Sequence, residues 1–297
     1  MADLATILSI LQLVLMSLAL VLTLIYSLSI LSNRRFHHQN NIFILNICFA
    51  IMTSAIFFLA YLSILNFNVK LFYISNICII MYYAYSIASI QIPFAFVAFT
   101  VHRFCFILYH TRPFFRTNKW VIICIGGQWI SEFLISLPFI IRSQPYCLIP
   151  VSLRLYFFMI VVIVPSFMNI ILNIRIFVHV RSSSYRVRPA WTASTVNNVN
   201  NTQQQQRNAS ISRREISLLR QMIFMFTMFI GGWTPVYFML YLSQIIYISA
   251  VIQLFATILC EFALLSSIIN LFICNRELRE YLMNKLRFCL TRGNVFR

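Results

Sequence analysis

The stretch FYISNICIIMYYAYSIASIQIPFAFVAFTVHRFCFIL, Phe72 to Leu108, contains Arg103 as its only Lys, Arg, Asp or Glu. It shows none of the apolar/polar alternation of a half-buried strand. It also far exceeds the roughly 10 residues that a tilted barrel strand needs. About 20 mostly apolar residues carry a helix across the hydrocarbon of a bilayer, so the stretch predicts a long membrane helix. Working outward, six more such runs appear: about Ile7–Leu31 and Asn41–Leu65 before it, then about Trp120–Ile141, Leu153–Val180, Glu215–Leu242 and Ser249–Cys274. The expected fold is all-α, a bundle of seven transmembrane helices. The first run has no basic stretch before it and no Ala-x-Ala site after it, so it reads as a retained span rather than a signal peptide.

Composition agrees. The chain is 61% hydrophobic and 10% charged, whereas a soluble domain carries about 25% charged residues to face water. The net charge of +17 could suggest nucleic acid, but the placement of the charges decides otherwise. Of 23 Lys and Arg, only Lys70, Arg142 and Arg154 fall on the side where the first run begins. Such asymmetry places the N-terminus outside the cell membrane and the C-terminus in the cytoplasm. The charge is then a topology signal with an attraction to anionic inner-leaflet lipid, and nucleic-acid binding has no support.

The expected organisation is a short extracellular segment, residues 1–6, a membrane domain, 7–274, and a cytoplasmic amphipathic helix and tail, 275–297. The one long connection, 181–214, is Ser-, Asn- and Gln-rich, too polar to bury a core, and is expected to be disordered. In the last segment Leu278, Tyr281, Leu282, Leu286 and Cys289 recur at helical steps between basic residues, the pattern of an interfacial helix. Cys289 is a candidate for acylation or a plain reduced thiol.

Ionisable groups inside membrane runs are costly and become functional candidates. Among them here are Glu132, Glu261 and, near one end, Arg103. The five His are dispersed at 37, 38, 102, 110 and 179, and Asp3 is the only Asp. Nucleophile–base pairs, metal-ligand clusters and Gly-rich phosphate loops do not occur, so no enzyme, metal site or cofactor is expected. A polytopic transporter or channel is the alternative class, though no paired repeats with broken helices are visible. Of eight Cys, Cys78 and Cys147 fall at or beyond the outer face, where they form either a disulfide or two free thiols.

Seven helices, an outer N-terminus and this Cys pair resemble the rhodopsin-like (class A) G-protein-coupled receptors. In that family an Arg within Asp-Arg-Tyr follows the third-helix Cys by 25 positions; here Arg103, in His102-Arg103-Phe104, follows Cys78 by 25. Trp129, Pro138 and Pro165 are similar to landmarks of the fourth and fifth helices. Phe229-Ile230-Gly231-Gly232-Trp233-Thr234-Pro235 resembles Phe-x-x-Cys-Trp-x-Pro. Asn270-Leu271-Phe272-Ile273-Cys274 resembles Asn-Pro-x-x-Tyr. Glu215 stands where many members keep an acid that pairs with the third-helix Arg.

The resemblance implies a receptor that activates a heterotrimeric G protein on binding an extracellular ligand, with a disulfide between Cys78 and Cys147. It also implies an activation switch of Arg103, Glu215, Phe229, Trp233, Pro235 and Asn270. Physically, Pro235 kinks the sixth helix, Phe229 and Trp233 share a face, and an Arg103–Glu215 pair would hold the cytoplasmic ends closed.

Departures from the pattern are also informative. His102 replaces the acid beside the Arg, Ile51 and Ile92 replace the usual Asp and Ser, and Leu271 replaces the seventh-helix proline. Leu264 stands where opsins keep the retinal lysine, and Tyr85 where aminergic receptors keep an Asp. Pocket candidates are Tyr82, Tyr85, Trp233, Tyr237 and Glu261, with Tyr83, Gln91 and Tyr241 nearby. Aromatic faces with hydroxyl tips suit a neuropeptide or a small chemosensory molecule. Glu261 is open to two readings, meeting a cationic ligand or being packed and hydrogen-bonded.

Overall fold

A computed structural model describes residues 2–33, 39–67, 75–109, 111–142, 150–187, 199–243 and 245–293. In chain order the elements are α1 (Ala2–Ser32), α2 (Gln39–Phe67), α3 (Ser75–Leu108), a 3-10 turn (Pro113–Arg116), α4 (Asn118–Ser136) and α5 (Pro138–Arg142). These are followed by α6 (Val151–Phe158), a π-helical turn (Met159–Ile163), α7 (Val164–Val187), α8 (Val199–Leu242), α9 (Ala250–Cys274) and α10 (Arg276–Gly293). Among the described residues no strand occurs. Seven described segments are long and apolar enough to cross a membrane: Thr6–Ser32, Gln39–Leu65, Ile77–Leu108, Asn118–Ile141, Val151–Ser182, Arg220–Leu242 and Ala250–Cys274. They are numbered below as the first to seventh spans.

The hydrophobicity that makes each span also sorts its faces. Tyr26, Phe43, Ile47, Ile51, Phe96, Met225 and Ile268 are fully buried between helices, while Ile7, Ile122, Ile130, Phe167 and Ile174 point outward and are exposed. In water such a surface would drive aggregation; against lipid tails it costs nothing. Apolar contact with lipid then gives helices little reason to associate, so polar bonds and close packing position them. Asn46 Nδ2 donates to Gln128 Oε1 at 2.7 Å, Gln128 Nε2 to Glu132 Oε1 at 2.8 Å, and Trp129 Nε1 to Asn46 Oδ1 at 3.1 Å. This chain ties the second span to the fourth. Thr100 Oγ1 to Asn169 Oδ1 at 2.6 Å ties the third to the fifth, and Ser54 Oγ to the Ala88 carbonyl at 2.7 Å ties the second to the third.

Irregularities follow the prolines. Pro138 cannot donate within the helix, and the fourth span passes through a turn at Leu137 before α5. Pro165 follows the π turn of the fifth span, where one extra residue per turn re-aims the side chains above it.

α3 is described from Ser75, the expected start at Phe72 lying outside the described residues, and α1 is helical from Ala2. One expectation needs correction. The connection expected to be disordered is largely helical: α7 continues to Val187 and α8 starts at Val199. From Val199 to Glu215 the chain has no Pro or Gly and is rich in Gln and Arg, which lose little side-chain freedom in a helix. The costly first turn is already provided by the span this segment extends. Residues 188–198 lie outside the described residues.

At the other end, Asn275 Oδ1 accepts the Leu278 backbone N–H at 3.2 Å and its Nδ2 donates to Tyr26 Oη at 3.2 Å. One side chain thus caps α10 and docks it on the first span. Leu278 is buried, Tyr281 and Leu282 are half-buried, and Arg279, Lys285 and Arg287 are exposed. This is the amphipathic division read from the sequence.

Candidate functional site

The spans enclose a cavity of about 500 Å³ near the end of the bundle where α1 begins. All five pocket candidates, Tyr82, Tyr85, Trp233, Tyr237 and Glu261, line it. The others do not: Tyr83 Oη donates to the Phe133 carbonyl at 3.4 Å, Gln91 accepts a hydrogen bond from Thr53, and Tyr241 is absent from the lining. The helical period is the reason, since neighbours on one helix point to different faces and only some face the centre.

The walls are chiefly aromatic. Phe58 meets Tyr85 edge-on at 5.6 Å and Trp233 at 5.9 Å, and Phe157 meets Tyr85 at 5.9 Å and Tyr237 at 5.2 Å. Glu261 is only 2% exposed, and among the described residues neither carboxylate oxygen has a hydrogen-bond partner. Among the described residues no side chain or backbone group supplies the partner that the hydrogen-bonded reading expects. The other intramembrane acid, Glu132, is held by Gln128 away from the cavity. Arg154 also lines the cavity and donates through Nη1 to the Leu240 carbonyl at 3.3 Å.

From the cavity floor a column of rings descends along one face of the sixth span. Tyr237 stacks on Trp233 at 5.6 Å and 17°, and Trp233 on Phe229 at 5.5 Å and 25°. Steps of four residues along a helix bring side chains onto one stripe. Phe229 and Phe226 both meet Phe96 of the third span, at 6.1 and 6.5 Å. One turn further on, Met222 Sδ accepts from Arg103 Nη1 at 3.5 Å. Arg103 is 2% exposed, so it is enclosed by the bundle rather than extended into the interface. The Glu215 side chain lies outside the described residues, and so does its expected pairing with Arg103. His102 is buried against Phe43, ring centroids 4.4 Å apart.

Pro235 sits inside α8, where its missing N–H frees a carbonyl one turn back at Gly231. The neighbouring Gly232 marks the close approach of the sixth and seventh spans: an added Cβ would lie 2.5 Å from Ala263 Cβ, 3.1 Å from Cys260 Cα and 3.3 Å from the Leu259 carbonyl. Asn270 Oδ1 accepts from Cys274 Sγ at 3.3 Å, while its Nδ2 is buried without a partner.

Cys78 is disulfide-bonded, and Cys48, Cys105, Cys124, Cys260 and Cys274 are free. Cys147 and the Cys289 side chain lie outside the described residues. Among the described residues no three His, Cys, Asp or Glu gather as metal ligands would.

Reading the sequence alone misses Arg154, Phe58, Phe157 and Gly232. Arg154 is read only as one of three charges on the outer side, although an Arg just inside an apolar run was a signal that it faces the bundle. The Gly231-Gly232 pair was likewise visible, but only the neighbouring helix distinguishes the two glycines.

A family model for the 7 transmembrane receptor (rhodopsin family) matches residues 20–273. The match covers most of the chain, and the chain belongs to that family. No curated protein matches it. The protein is thus a multi-pass membrane receptor.

Proposed function

We propose that this receptor binds an extracellular ligand in the aromatic cavity and, by moving the sixth span, activates a heterotrimeric G protein at the opposite, basic end. The reading rests on the column from Tyr237 and Trp233 through Phe229 and Phe96 to the Arg103–Met222 contact. A ligand touching Trp233 acts on a packed stripe that ends beside Arg103, and the Pro235 hinge lies within that stripe. Packed interfaces of this kind switch between discrete arrangements rather than deform smoothly.

A cavity of about 500 Å³ suits a small chemosensory molecule or the tip of a neuropeptide. Placing the cavity outside puts the N-terminus and residues 1–6 outside and 275–297 in the cytoplasm, in keeping with the Lys and Arg distribution. The membrane domain is then 7–274, and the exposed basic face of α10 meets anionic lipid. Cys78 bonds Cys147, since five other cysteines are free and Cys289 belongs to the helix at the opposite end. The chain acts as a signalling receptor, not as an enzyme.

The test is a ligand screen in cells with a promiscuous G protein, read as agonist-dependent nucleotide exchange. In the same cells Glu215→Ala raises basal signalling if it pairs with Arg103. An unchanged baseline removes that latch. Substrate or ion flux in proteoliposomes without any nucleotide exchange refutes the receptor mechanism.

A further inference from the structure

The cavity contains one feature that its aromatic walls do not require. Glu261 is buried to 2% exposure, lines the cavity, and presents two carboxylate oxygens with no hydrogen-bond partner among the described residues. A buried acid without partners is costly to the protein, so a ligand that satisfies it gains a large selective advantage over one that does not. Arg154, the cationic side chain in the lining, is engaged instead with the Leu240 carbonyl at 3.3 Å, and its Nε is unpartnered. Tyr82, Tyr85 and Tyr237 line the same space, and aromatic rings attract cations.

From this arrangement we infer that the ligand is a small amphipathic ammonium compound, its cationic nitrogen held by Glu261 among these rings and a hydrogen-bond acceptor on it directed to Arg154. Recognition of the cation comes from the seventh span. The third-span position at which amine receptors carry their acid is Tyr85 here. The inference rests on the cavity being the ligand site.

The test uses the purified full chain in detergent and a short series of phenylalkylammonium ions, each paired with the phenylalkanol of equal length. Binding is read as the rise in apparent Tm. At least one ammonium ion stabilises the protein and binds about tenfold or more tightly than its alcohol, the scale of a charge-assisted contact in a dry site. Glu261→Gln, close to the native side chain in size, abolishes that preference. The ammonium–alcohol comparison on the native chain stands even if the variant does not fold.

Equal binding of ammonium ion and alcohol, or a preference that survives Glu261→Gln, overturns the assignment of Glu261 and leaves the cavity as the binding site. Ala256→Phe fills the cavity, since Ala256 is part of its lining, and abolishes binding of both series. Binding that persists in Ala256→Phe overturns the cavity reading itself, and no stabilisation by either series overturns both.

Discussion

Replacing Gly232 by Ala sets a methyl carbon 2.5 Å from the Ala263 Cβ and 3.1 Å from the Cys260 Cα. Non-bonded carbons settle at about 3.5–4.0 Å, so the sixth and seventh spans must part by about 1 Å at this level. Neither neighbour is the free end of a flexible side chain, so the strain passes into the helix backbones. Overpacking of this kind costs about 1–3 kcal/mol. Gly231, one residue earlier, has nothing within 4 Å of its added Cβ. There the same substitution removes only the helix penalty of glycine, and Gly231→Ala is neutral or stabilising by up to about 1 kcal/mol.

The assay is the apparent Tm of each purified variant at one heating rate, because membrane receptors seldom unfold reversibly. The two substitutions move it in opposite directions, and Gly232→Ala lowers it by several degrees at about 2–4 °C per kcal/mol. Adding Ala263→Gly removes the 2.5 Å contact and restores most of the loss. Equal effects of the two alanines, or no rescue by Ala263→Gly, would show that close approach at Gly232 does not hold these spans together.

Gln128→Leu leaves Asn46 and Glu132 without their shared partner and lowers stability by about 1–3 kcal/mol, whereas Glu132→Gln keeps an acceptor and stays within about 1 kcal/mol; thermal denaturation ranks the pair. Asn275→Ala removes the cap of α10 and the bond to Tyr26, costing about 1 kcal/mol, seen as faster hydrogen exchange over Arg276–Glu280 with the spans unchanged. Cys147→Ser reduces surface expression and leaves a thiol at Cys78 that alkylation and mass spectrometry detect; an unlabelled Cys78 would refute the pairing.

The bundle was legible in the sequence because the requirement for a span is local. A run of about 20 apolar residues leaves the backbone no option but a helix in lipid, and the seventh span's expected start at Ser249 agrees with α9 beginning at Ala250. The amphipathic division of α10 was legible for the same reason, since Leu278, Tyr281 and Leu282 are periodic. The connection after the fifth span was misread because polarity excludes a packed core but does not prevent Val199–Glu215 from extending an existing helix.

The candidate site divides in the same way. Trp233, Tyr237, Tyr82 and Tyr85 could be selected from residue type and position on a helix. Which hydroxyls, rings and charges share one cavity depends on how seven helices are rotated about their own axes, and the 3.6-residue period does not set that angle between helices. Tertiary structure therefore placed Arg154 in the cavity lining, turned Gln91 toward Thr53, and distinguished Gly232 from Gly231 by the neighbouring atoms of Leu259, Cys260 and Ala263. It also separated the two buried acids: Gln128 reaches Glu132, while no described residue donates a hydrogen bond to Glu261. Sequence alone determined that the chain crosses the membrane seven times, because hydrophobic length is a property of each segment. Only packing decided which buried polar groups find a partner among the described residues, because bonds such as Asn46–Gln128 and Thr100–Asn169 join different segments.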